Sequence, residues 1–166
     1  MQFVNYFLTS LLSFSGLLAG MLLMRIAGEE QKIIKKYVSL GLHVILSVTI
    51  LVLLIFYIGK NIVISILILL SGLIILYAGI KAVELKTVLA SNFIMLGFLF
   101  YLGSASLNVF AVISCLVFLY GVLKFSNSYD KKKQNVDVIL GYSSIFILAA
   151  NLIFYLAHHF SFLIFR

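Results

Sequence analysis

The stretch Val88 to Leu123, VLASNFIMLGFLFYLGSASLNVFAVISCLVFLYGVL, contains no charged residue. As one straight helix these 36 residues would run about 54 Å at 1.5 Å per residue, far beyond the roughly 30 Å of a bilayer's hydrocarbon. Near the centre stands Gly103-Ser104-Ala105-Ser106-Leu107-Asn108, whose Gly, Ser and Asn favour a turn. The run therefore reads as a hairpin of two apolar helices.

The rest of the chain repeats this pattern. Of its 166 residues 64% are hydrophobic and 10% charged, with neither Pro nor Trp, and its mean hydropathy is +1.23. Water-soluble domains are about 45–50% apolar and about 25% charged, so a soluble fold is excluded. Runs long enough to cross lipid fall at 3–24, 38–57, 62–80, 88–103, 107–123 and 138–160. The sequence predicts an all-α membrane protein: a six-transmembrane-helix bundle forming one integral domain over residues 1–166. Gly59-Lys60-Asn61 joins the second and third spans in a tight antiparallel turn.

The first span is expected to be retained rather than cleaved. No Lys or Arg precedes it, and it exceeds the 7–15 apolar residues of a signal peptide's h-region. Leu18-Ala19-Gly20 resembles a lipoprotein signal, but Met21 stands where the lipidated Cys would be needed.

Charge sets the orientation. The net charge is +7, and ten of the twelve Lys and Arg fall in the first, third and fifth connections, leaving only Lys60 and Arg166 on the other side. Basic residues concentrate in cytoplasmic loops, so segments 25–37, 81–87 and 124–137 are expected in the cytoplasm and both termini outside the cell membrane. Tyr6, Tyr57, Tyr101 and Tyr155 at the outer ends, with Tyr37, Tyr129 and Tyr142 at the inner, fit an interfacial aromatic belt. The same charges argue against nucleic acid, because no polar face carries a basic stripe with interleaved stacking aromatics.

A triplication is also suggested. Ser15, Ser71 and Ser114 each precede a basic residue by ten positions. The returning spans end in Ile55-Phe56-Tyr57, Leu99-Phe100-Tyr101 and Ile153-Phe154-Tyr155. Three tandem helical hairpins would produce this, and internal repeats are frequent in transporters. A chain so rich in Leu, Ile, Phe and Tyr also produces such matches without common ancestry.

Two polar stripes are the candidate functional faces. Asn5, Thr9, Ser13, Gly16 and Gly20 recur at steps of three and four, which aligns them on one face of the first helix; Gly16 and Gly20 form a GxxxG pair. Gly141, Ser144, Asn151, Tyr155 and His158 form the second stripe, on the last helix. Each reads either as a helix-packing seam or as the wall of a hydrated pathway. Asn151 needs a partner, because an unsatisfied amide in hydrocarbon costs several kcal/mol; Asn5, Thr9 or Ser13 could supply it if the first helix meets the last.

No catalytic constellation accompanies these stripes. Glu29, Glu30, Glu84, Asp130 and Asp137 all fall in cytoplasmic connections, so the intramembrane charge that coupled pumps employ is missing. His43 lies toward the cytoplasmic end of its span and His158 and His159 at the outer end of theirs, too far apart in depth to share a haem. Cys115, alone in an apolar run, reads as buried and inert, and no GxSxG elbow occurs. Glu29 to Tyr37 reads as a short amphipathic segment at the interface. Lys131-Lys132-Lys133 falls short of the 4–8 basic residues that mark a lipid-recognition cluster. No cofactor or metal is expected. The expected partners are the lipid bilayer and other membrane proteins or a second copy. Two functions remain: a non-catalytic subunit or scaffold of a membrane complex, or a channel or facilitator for a small neutral solute or lipid.

Overall fold

The computed structural model describes residues 2–26, 31–80, 85–128 and 136–164. They form six helices: α1 (Phe3–Ile26), α2 (Gln31–Tyr57), α3 (Ile62–Ile80), α4 (Leu85–Gly103), α5 (Leu107–Ser128) and α6 (Val136–Ile164), and the described residues include no strand. Each contains one predicted apolar run, α2 beginning seven residues before it and α5 ending five residues after it. Three contain continuous stretches long and apolar enough to cross a membrane: Phe3–Leu23, Leu40–Tyr57 and Leu107–Phe125. The other three contribute shorter apolar stretches, Ile62–Leu73, Asn92–Gly103 and Ser144–His159, among the described residues.

The turns form where small and polar residues replace the apolar run. After α4 the amides of Ser104 and Ser106 donate to the carbonyls of Tyr101 (3.0 Å) and Gly103 (3.4 Å), closing the expected hairpin turn. Before α3 the Asn61 side chain accepts hydrogen bonds from the amides of Val63 (3.1 Å) and Ile64 (3.3 Å). That is an N-cap satisfying two donors the helix cannot satisfy itself. In the same turn the Lys60 ammonium lies 3.7 Å from the Phe56 ring centroid, an arrangement attractive to a cation.

The charge-free run supplies the centre of the bundle. Its α4–α5 hairpin packs on itself, with α1 and α2 laid against α5, and α6 and α3 against α4. Register gives the directions. Ser13 meets Ser114, Gly16 meets Phe118 and Gly20 meets Val122, so α1 and α5 run parallel. The Tyr57 hydroxyl donates to the Leu102 carbonyl (2.8 Å), which places the ends of α2 and α4 together. Tyr6 stacks on Phe154, bringing the start of α1 to the last turns of α6. The helices therefore alternate, α1, α3 and α5 one way and α2, α4 and α6 the other.

Three expectations change. Tandem hairpins would pair α1 with α2 and α5 with α6, yet neither pair is among the principal contacts of the described residues; α1 lies chiefly against α5 and α6 against α4, while α3 lies chiefly against its sequence neighbour α2. Residues 31–37 of the expected amphipathic segment are the first turns of α2 and continuous with its apolar run, since no Gly or Pro interrupts the helix before Val38. Tyr6 and Tyr57 do not belong to an interfacial belt: both are buried, each hydroxyl donating to a carbonyl of another helix. Glu29, Glu30, Lys81, Glu84, Tyr129, Asp130, Lys131, Lys132 and Lys133 lie outside the described residues, as do Met1 and Arg166.

The outer surface is strongly apolar. Leu12, Ile62 and Leu148 are 67%, 73% and 69% exposed, where the surface of a soluble protein would be broken up by charge.

Candidate functional site

The first stripe faces α5. A Cβ on Gly16 would run into the carbonyl oxygen of Phe118, and one on Gly20 would stand 2.6 Å from that of Val122. Gly121 returns the contact, with the Leu17 amide nitrogen 3.0 Å from where its Cβ would be. Three glycines thus let two backbones touch, the arrangement small-xxx-small sequences permit in lipid. One turn up, the Ser13 hydroxyl donates across the crossing to the Ser114 carbonyl (3.2 Å). Thr9 turns inward to its own helix, donating to the Asn5 carbonyl (2.7 Å), and the Asn5 side chain is exposed. Hydroxyls that back-bond within a helix are satisfied without a partner.

The second stripe does not converge. Gly141 and Ser144 are exposed, no described residue lies within 4 Å of a Cβ placed on Gly141, and Ser144 donates to its carbonyl (2.7 Å). Tyr155 is 58% exposed; His158 is exposed, its ring stacked 6.4 Å from Phe154. Asn151 reaches another helix. Its Nδ2 donates to Ser10 Oγ (3.1 Å) and to the Ile147 carbonyl (2.8 Å). The first helix does meet the last, but at Ser10 rather than Asn5, Thr9 or Ser13: one residue is a 100° turn, which moves Ser10 from the α5 side to the α6 side.

Between these contacts lies an aromatic hub. Tyr6 is fully buried, stacked 4.2 Å from Phe154 and 5.6 Å from Phe110, and edge-on 5.3 Å from Phe100. Its hydroxyl donates to the Ala150 carbonyl (3.2 Å). Phe100 also meets Phe110 (4.9 Å) and Phe146 (5.4 Å). The cluster joins α1, α4, α5 and α6. Below it, Gly97 lets α4 approach α6, with Ala149 Cβ and the Ala150 amide nitrogen both 3.0 Å from a Cβ at that position.

Among the described residues two buried acceptors have no hydrogen-bond partner, Asn151 Oδ1 and Asn92 Oδ1. Asn92 lies on α4 beside the Tyr120 hydroxyl of α5. Cys115 is exposed rather than buried, because in a bundle whose outer surface is itself apolar an apolar run does not distinguish outside from inside. It lines an outward groove of about 440 Å³ between α1 and α5, with Thr9, Leu12, Ser13, Ala111, Ser114 and Phe118.

Sequence reasoning missed Tyr6, Ser10, Asn92, Gly97 and Gly121. The lone glycines inside apolar runs were a usable signal of close backbone approach; the other three had none. Among the described residues no group of three or more His, Cys, Asp or Glu is placed to hold a metal. No protein-family model, curated protein or solved structure matches the chain.

Proposed function

We propose that this chain is a non-catalytic component of a membrane assembly, a six-pass subunit or scaffold that packs against other membrane proteins. One observation carries the reading: of the two faces that would line a hydrated route, the first is used for packing and the second lies largely on the outer surface. The first stripe is closed against α5 by backbone contact at Gly16 and Gly20, and the space between α1, α4, α5 and α6 is filled by Tyr6, Phe100, Phe110 and Phe146. Alternation of helix direction and the gathering of ten Lys and Arg in alternate connections support six crossings, both termini outside, and cytoplasmic segments at 25–37, 81–87 and 124–137.

A channel or facilitator for a small neutral solute or lipid is the second reading. It is favoured by Asn92 Oδ1 and Asn151 Oδ1, buried acceptors free to take a hydrogen bond from a passing donor. Mild solubilisation from the native membrane, sizing and peptide identification separate the two. Other polypeptides co-migrating in fixed ratio are the expected result. A chain that runs alone or only with itself, and that supports solute flux after reconstitution, overturns the subunit reading.

A further inference from the structure

We draw no further inference here: the strongest candidate, the outward-opening groove between α1 and α5 lined by Thr9, Ser13, Ser114 and Cys115, carries nothing because its three hydroxyls already donate to carbonyls of this chain and nothing in the structure shows what covers it.

Discussion

The two sides of α1 hold their neighbours by different means. Toward α5 the helix presents glycines, and backbone meets backbone at Gly16, Gly20 and Gly121. Toward α6 it presents Tyr6 and Ser10, and side chains bridge the gap by ring stacking and hydrogen bonds. A glycine contact has no slack, because any added atom displaces a whole helix. A side-chain contact can lose a member and repack. The first should therefore be intolerant of size and the second graded.

The largest expected effect follows from that contrast. Gly16→Leu should destabilise the bundle by about 3 kcal/mol or more, at the severe end of overpacking, since the obstruction is the Phe118 carbonyl and not a flexible side chain. Gly141→Leu, a glycine facing open space, should stay within about 0.5 kcal/mol of the parent. Thermal unfolding of both variants in detergent checks the pair; equal losses would end the distinction between seam and surface.

Tyr6→Ala comes next, at about 2–3 kcal/mol. This lies at or below the low end of aromatic truncations in soluble cores, because a side chain that leaves this core meets lipid rather than water. Asn151→Leu should cost about 0.6 kcal/mol, the mean for interhelical hydrogen bonds in a membrane bundle; both can be read by denaturant titration in the same detergent. If the unpartnered Oδ1 of Asn151 marks a route, the Leu variant abolishes flux in proteoliposomes while the fold survives. The smallest effect belongs to Asn92→Leu, below about 0.5 kcal/mol, because removing a buried acceptor that lacks a partner offsets the loss of the Asn92 side chain's hydrogen bond with the buried Tyr120 hydroxyl. A marked loss of melting temperature there would mean that Asn92 is satisfied in the membrane after all.

Element positions were legible in this sequence, and contacts were not. The six runs, the turn at Ser104–Ser106 and the tight turn ending at Asn61 follow from apolar length and turn chemistry, which depend on local residues. Which face of a helix points inward depends on a contrast between faces, and here Leu, Ile, Val and Phe surround each helix. So Cys115 was placed inside and found outside, and Tyr6, expected at the interface, is fully buried in the aromatic core. The stripe at Gly141, Ser144 and Tyr155 misled for a related reason. Polar side chains in lipid are expected to seek another helix, yet Ser144 is satisfied by its own. The GxxxG pair was readable because backbone contact demands glycine whatever surrounds it.

The parallel contact of α1 with α5 also constrains how the chain is made. Ser13 and Ser114 are 101 positions apart, and a ribosome adding about 5–20 residues per second separates their synthesis by roughly 5–20 s. Throughout that interval the glycine face of α1 exists without the helix it fits. Whatever covers that face in the meantime must yield to α5, so assembly of this bundle includes an exchange of neighbours that a chain of self-contained hairpins would not require.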